Sequence, residues 1–452
     1  MLVDSFSKYV DEIQGIKLTM QALKESLPAK INQDAQKYKY AMILDYYLSS
    51  KIDGTVDRKL ESYMQKFVEI KSVDTENRTI IYTLKKAKEF KGQVLNIEQS
   101  KKMVAKYQET IDTMYDNLLI SIMIKFENII SDIFRNIIRK YTEVYLNNKN
   151  VKYTDILKSN SIEEMKEILI DEEVENIMRQ NIFDWIKILK DKHGVSIDIN
   201  NMYFKEFIEA YYRRNILVHN NGIINNDFIT GLKKVGFEVR DNYKGKKVRI
   251  DTDYILKVID ASIYTVFNFV YNIMKLFEDE NEDFADEILN YGMDLIISKK
   301  YKLAKEMFYK LKDNKKVKEE IRIYSKINYW QTFKWDNNFD EVKKDVEKFD
   351  VSANNETIQL AIYSLLDEYE KSFEIINKRF ENNNKDYELA GMLEEWPIFQ
   401  GLRKQTEYND LKEKYSEVFY DKAAIQDENE TSKKVIKEDK GKFEMQINFT
   451  IE

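Results

Sequence analysis

From Tyr115 onward, apolar residues recur every three or four positions: Tyr115, Leu118, Leu119, Ile122, Phe126, Ile129, Ile130, Ile133, Ile137 and Tyr141. Such spacing lines one face of a long helix. Ser161 with Glu164 three residues later is a capping-box signal that opens a second helix. Phe183, Trp185, Ile186 and Leu189 continue it or begin another, and HGVSIDINN (His193–Asn201) breaks the pattern. A further helix is expected from about Met202, with Phe204, Phe207, Ile208 and Tyr211 on one face. At roughly 100° per residue, Asn215 falls on that same face, His219 lies one turn beyond, and Arg214 sits to one side. Asn220, Asn221 and Gly222 then supply a left-handed stop. Gly236–Ile250 (GFEVRDNYKGKKVRI) reads as a hairpin, and an apolar helix from Tyr254 to about Phe277 closes the block.

The flanks are patterned differently. Residues 1 to about 105 read as helices with one short hairpin, formed by Arg78–Leu84 and Gly92–Ile97. Glu278–Glu287 is acidic and reads as a junction between domains. Beyond it, Tyr291–Leu311 has the small and aromatic spacing of a helix-turn-helix repeat, and Ile358–Phe380 repeats it loosely. These segments resemble tetratricopeptide-type helix pairs with an imperfect period. Trp396, Pro397 and Phe399 read as packing at a sharp helix junction. The polar stretch from Lys422 to Glu452 reads as a flexible tail. The expected organisation is therefore an N-terminal helical extension with a hairpin (1–103), a helical bundle (104–277), a helical repeat-like domain (288–421) and a tail (422–452).

Composition narrows the class. Two prolines and 12 glycines in 452 residues leave few helix breakers, so the expected fold is all-α. The absence of cysteine excludes disulfides, thiolate metal sites and cysteine nucleophiles. With His193 and His219 the only histidines, histidine cages for metals are nearly excluded too, and no metal or other cofactor is expected. The net charge of −7 does not advertise nucleic-acid binding. One segment departs from it: Lys233, Lys234, Arg240, Lys244, Lys246, Lys247 and Arg249 face only Glu238 and Asp241. That local excess suits a phosphate backbone, or else it is a solvated hairpin guarding its edge. The N-terminal MLVDSFSKYVDEIQ lacks a basic start and a long apolar run, and Leu118–Phe134 is interrupted by Lys125, Glu127 and Asp132. No signal peptide or membrane span is expected, and the expected location is cytoplasmic.

The candidate chemistry lies at the end of the helix that starts near Met202. Arginine grips phosphate oxygens with paired donors and keeps its charge. Histidine moves protons near neutral pH. Asn215 and His219, four apart, are neighbours on one helix face. Arg214 can curl back toward them, and the helix dipole at a C-terminus favours a protonated imidazole. This set suits RNA self-cleavage, in which the ribose 2′-OH attacks its own phosphate and the protein positions, neutralises and shuttles protons. Polar residues that merely cap a helix would look the same. Tyr211, Tyr212 and Tyr243 either stack bases or belong to the core. His193 reads as an ordinary surface histidine.

RRNILVHNNGIIN (Arg213–Asn225) resembles the signature of HEPN-domain proteins: an arginine (Arg214), a polar residue (Asn215), apolar residues (Ile216–Val218) and a histidine (His219). The HNNG that follows, with its apolar pair and Asn225, resembles a large bacterial branch of that family. The resemblance covers roughly residues 104–277. It implies an all-α bundle that dimerises so that two motifs meet in one cleft. It also implies a metal-independent endoribonuclease of toxin–antitoxin or anti-phage defence biology, with Arg214 and His219 catalytic and Asn215 positioning them. Arg213, Lys244, Lys246, Lys247 and Arg249 are then the RNA-binding candidates, and the C-terminal helical domain is a candidate site for a regulatory protein partner. Some members of the family have lost activity, so a non-catalytic binding or scaffold protein is the alternative.

Overall fold

The structure, a computed structural model, describes residues 2–85, 97–147, 149, 151, 161–239, 241–277, 281–351 and 355–420. It divides into two compact units, Met1–Phe277 and Glu278–Glu452.

The first unit begins with α1 (Leu2–Asp53) and α2 (Arg58–Met64), followed by a two-stranded antiparallel sheet of β1 (Val68–Asp74) and β2 (Thr79–Leu84). Among the described residues seven helices follow: α3 (Ile97–Lys140), α4 (Thr142–Leu146), α5 (Ile162–Met178), α6 (Ile182–His193), α7 (Met202–Asn220), α8 (Asn226–Lys234) and α9 (Thr252–Ile273). The apolar stripe of α3 is buried as its spacing predicts, from Leu118 through Ile137. Phe126 is the hub: its ring lies 4.3 Å from Phe207 of α7, 6.4 Å from Trp185 of α6 and 6.3 Å from Phe269 of α9. Trp185 buries its indole and still donates Nε1–H to Ile177 O at 2.8 Å, so the polar edge of the ring is satisfied. Helix starts follow side-chain chemistry. The Ser161 hydroxyl accepts the Glu164 N–H at 3.0 Å, and Asn181 with Asp184 forms a full capping box at α6. α1 packs along α3 and α9 within this unit, and α3 itself runs through residue 103.

The predicted hairpin near residue 80 exists with a different partner. β2 pairs with β1 in the register Val68↔Leu84 to Asp74↔Thr79, with a bulge between Ile70 and Ser72. Asp74 closes the turn by accepting the Glu76 and Asn77 N–H groups at 3.1 and 2.9 Å, which makes the preceding segment the nearest strand to fold back. Of the partner expected from sequence, Ile97 begins α3 and Gly92–Asn96 lie outside the described residues. Among the described residues, no strand pair lies within Gly236–Ile250, where a hairpin is expected. That segment contains a 3-10 turn at Asp241–Tyr243 and pairs instead with the loop after α7 through a bridge between Ile223 and Lys247. Arg240 lies outside the described residues.

Among its described residues the second unit contains nine helices: α10 (Asn281–Ile297), α11 (Tyr301–Leu311), α12 (Glu319–Trp335), α13 (Lys343–Glu347), α14 (Glu356–Leu365), α15 (Tyr369–Asn382), α16 (Tyr387–Glu395), α17 (Thr406–Lys414) and α18 (Ser416–Tyr420). Much of the acidic run read as a junction is the start of α10, where Glu282 and Asp283 sit at the positive end of the helix dipole. α10, α11 and α12 pack on one another in turn, and α14 packs on both α12 and α15. Gly292 of α10 carries the ring of Phe308 directly against its backbone, a contact that leaves no room for a side chain there. The Trp396–Phe399 turn packs into the core, with Trp396 Nε1 donating to Asn328 Oδ1 at 3.2 Å. Arg403 ties it down by donating to Leu393 O and Glu394 O at 2.6 and 2.7 Å. The tail read at 422–452 lies outside the described residues. Among the described residues, no helix is long and apolar enough to cross a membrane.

Candidate functional site: the C-terminal end of helix α7

α7 starts on an Asn201 cap and buries Phe204, Phe207, Ile208 and Ala210, which fixes its rotation against α3 and α9. Its last turn ends at Asn221, whose φ of 49° is the left-handed conformation expected from the Asn-Asn-Gly run, followed by Gly222 at φ 76°. The stop is doubly secured. Gly222 N–H returns to Ile216 O at 2.9 Å, and the Asn220 side chain donates to Ile223 O at 2.6 Å.

With the helix set in this way, Arg214 reaches across to α3. Its guanidinium forms an ion pair with the carboxylate of Glu127 and donates from Nη1 to Asn215 Oδ1 at 3.1 Å. The Tyr211 ring lies 5.7 Å from the guanidinium carbon. The arginine side chain is 16% exposed and the glutamate 30%, so the pair is half-buried and opens to solvent on one side. Burial, with the Glu127 charge added, pushes the Tyr211 phenol above its usual range. His219 is exposed one turn beyond Asn215, and no hydrogen bond joins it to Arg214 or Asn215. Arg214 and Asn215 are thus brought together within one chain, while the imidazole stands apart from them at the open end of the helix.

Glu127 is the participant that the motif does not contain. Its signal in the sequence is an acid interrupting the apolar run of α3, but a lone acid on a helix does not name its partner 87 residues away.

The basic segment lies against this end of the helix. Val248 N–H donates to Gly222 O, Ile224 N–H to Lys246 O and Gly245 N–H to Ile224 O, each at 2.9 Å. Gly222 permits the close approach: a Cβ there would lie 3.2 Å from Leu217 Cδ2 and 3.5 Å from Lys247 Cγ. Lys244, Lys246, Lys247 and Arg249 are all exposed on the stitched segment. Lys246 Nζ stands 5.1 Å from the ring centre of the exposed Tyr243. Burial raises the Asp116 carboxyl on α3 above its usual range, and the charge of Lys247 opposes that shift.

Arg213 has a different placement. Its Nε and Nη2 donate to Glu209 Oε1 at 2.9 and 2.6 Å, its Nη1 donates to Arg249 O at 2.9 Å, and its guanidinium lies 4.1 Å from the Tyr254 ring centre. The Tyr254 hydroxyl donates to the other oxygen of Glu209 at 2.5 Å. Arg213 is therefore committed to tying α7 to α9 and to the end of the basic segment. Among the three tyrosines, Tyr212 packs its ring onto Gly231 of α8, Tyr211 is half-buried, and Tyr243 faces solvent.

His193 is not the plain surface residue read from sequence. It is half-buried between Tyr141 and Tyr145, with ring centres 4.9 and 5.6 Å away, and its Nε2 shares a hydrogen bond of 2.9 Å with the Tyr145 hydroxyl. Burial, helped by the neighbouring Lys192 charge, lowers its pKa. The aromatic partners lie some 50 residues upstream in the chain, out of reach of a local reading.

Among the described residues, no cluster of three or more His, Cys, Asp or Glu side chains is arranged to hold a metal ion. In comparisons with known proteins, no family model, no curated protein and no solved structure matches the chain.

Proposed function

We propose that the protein is a metal-independent endoribonuclease of the HEPN type, working as a homodimer in which two copies of the α7 terminus share one RNA-binding cleft. The observation that carries this reading is the Arg214–Asn215 hydrogen bond at a solvent-open position, one turn from an exposed His219 and beside a surface-exposed row of lysines. Asn215 holds the guanidinium, the guanidinium neutralises the scissile phosphate, and the imidazole moves protons. The ribose 2′-oxygen forms a bond to phosphorus as the bond to the 5′-oxygen breaks. The proton leaves the 2′-hydroxyl and one is delivered to the departing 5′-oxygen. The products are a 2′,3′-cyclic phosphate and a 5′-hydroxyl. The attacking group belongs to the RNA itself, so the chemistry calls for no activated water. By the same resemblance, the setting is bacterial anti-phage defence or toxin–antitoxin biology, and the second unit, read as repeat-like, offers a surface for a regulatory protein.

A second reading has its own support. Glu127 already neutralises Arg214, and within one chain no hydrogen bond joins His219 to it. A HEPN-like scaffold that binds partners without cutting RNA would tolerate both features. RNA cleavage by wild-type and His219→Ala protein, with mass in solution measured alongside, separates the two. The ribonuclease reading predicts that the variant remains dimeric and loses cleavage. A wild-type protein that binds but never cuts RNA, or one that cuts equally well without His219, contradicts it.

A further inference from the structure

Three tyrosines near the end of α7 are candidates to stack bases, and their surroundings separate them. Tyr212 packs its ring onto Gly231 of α8, where any Cβ would collide with it. Tyr211 is half-buried beside the Arg214 guanidinium. Tyr243 is 44% exposed, yet its backbone is fixed on both sides. It ends the 3-10 turn Asp241–Tyr243 and begins a second turn, closed by Lys246 N–H on Tyr243 O at 3.1 Å with Gly245 at φ 82°. Glycine takes that left-handed third position of a turn without strain. Gly245 N–H then donates to Ile224 O and Val248 N–H to Gly222 O, each at 2.9 Å, which pins the turn to the loop after α7. From Asn242 to Arg249 the chain carries four cations, Lys244, Lys246, Lys247 and Arg249, and no acid. All four are exposed, and among the described residues none of them is in an ion pair. Lys246 keeps its ammonium 5.1 Å from the Tyr243 ring centre.

We propose, resting on the ribonuclease reading of the α7 terminus, that Tyr243 stacks on an unpaired base and that the substrate of this site is single-stranded RNA. An aromatic face set among unneutralised cations matches the two surfaces of a nucleotide, its base and its phosphate. Lys246 holds a cation beside the ring, within reach of the phosphate of a nucleotide stacked there. Because the turn is already fixed, binding through Tyr243 costs little backbone ordering. In a duplex the base faces are covered by their neighbours; only the bases of single strands, loops and bulges can lie flat on a side chain. The lysines alone would take any polyanion, and the tyrosine is what distinguishes an unpaired strand. Every base has a π-face, so the ring reads strand state rather than sequence.

The test measures RNA binding on the His219→Ala background of the full-length protein, so that the RNA survives. The probes are a short single strand without self-complementarity, the same strand paired with its complement, and its abasic ribose-phosphate counterpart. Tyr243→Ala is expected to weaken binding of the single strand by roughly 5- to 100-fold, the range of one base–aromatic stack, and to leave the duplex and the abasic strand unchanged. Tyr243→Phe, which keeps the ring, is expected to bind as the parent does. The slope of log affinity against log salt is expected to stay the same in Tyr243→Ala, because no phosphate contact is lost. Single-strand affinity that survives Tyr243→Ala, an equal loss on all three probes, or a loss in Tyr243→Phe as large as in Tyr243→Ala would overturn the stack. A shallower salt slope in Tyr243→Ala would overturn it too, since the residue would then act by placing the lysines. Cleavage by protein that retains His219 keeps the two readings apart. If that protein never cuts RNA while the parent still binds single strands through Tyr243, the ribonuclease reading falls and the stack stands. If it cuts with the same KM with or without Tyr243, the stack alone falls. A parent that binds no RNA overturns both.

Discussion

Arg214 and Glu127 form an ion pair that joins the end of α7 to the middle of α3, and the donor arginine is the more buried of the two. This contact holds the guanidinium in place and also occupies it. An incoming phosphate must share the arginine with a carboxylate or displace it. The pair therefore has both a structural and a functional consequence.

The structural consequence is a loss of stability when either partner is removed. A hydrogen bond to a charged group contributes about 1.5–3 kcal/mol, reduced where water reaches it. Glu127→Ala is expected to lower unfolding stability by about 1–2 kcal/mol on that basis, measured by urea denaturation. A double-mutant cycle with Arg214→Ala should show coupling between the two; additive losses would mean that the pair contributes nothing.

Gly292 and Phe308 offer a test of packing in the second unit. Any Cβ at residue 292 collides with the phenyl ring. Gly292→Ala is expected to cost about 1–3 kcal/mol through overpacking. Shortening the ring in the same chain, Gly292→Ala with Phe308→Leu, should recover part of that loss in thermal unfolding. An unchanged Tm in the single variant would show that the two helices do not approach so closely.

His193 predicts a pH dependence. Its folded pKa lies below the ordinary 6.5, because burial and Lys192 disfavour the charged imidazole. Between the lowered value and 6.5 the unfolded chain binds more protons, so stability rises with pH in that window. The contribution is complete above about pH 6.5 and is lost as the pH falls below it. His193→Phe, which keeps a ring between Tyr141 and Tyr145, should flatten this acid-side slope relative to wild type in thermal unfolding at pH 7.5 and 5.5. Equal slopes in the two proteins would remove His193 from the account.

Much of α7 is legible in the sequence, because its determinants are local. The spacing of Phe204, Phe207, Ile208 and Tyr211 sets the buried face, and Asn220–Asn221–Gly222 sets the stop. The same holds for the long stripe of α3. What escapes a local reading is pairing at a distance. Val68–Asp74 is too polar to announce itself as a strand, so a local reading pairs Thr79–Leu84 with the segment that follows it rather than with the one before. Gly236–Ile250 has the alternation of a hairpin but finds its hydrogen bonds in the loop after α7. Arg213 and Arg214 are adjacent and chemically identical in sequence. Only the rotation of the helix sends one to Glu209 and the other to Glu127.

The stitched basic segment makes a prediction about salt. Lys244, Lys246 and Lys247 are exposed, so replacing all three by glutamine should leave the fold intact. On single-stranded RNA, each lost phosphate contact reduces the slope of log affinity against log salt by roughly 0.7. A triple variant carried on the His219→Ala background, so that the RNA survives, should bind more weakly with a slope shallower by up to about 2 on that scale. Unchanged affinity and slope would make the segment a solvated ribbon.

The central claim is tested most directly by the chemistry of the ends left on RNA. Purified wild-type and Arg214→Ala proteins are incubated with total cellular RNA in EDTA, and the new termini are mapped. The account predicts 2′,3′-cyclic phosphate and 5′-hydroxyl ends with the wild type and none with the variant. Cleavage that stops in EDTA and returns with magnesium, or ends that appear equally without Arg214, would contradict it.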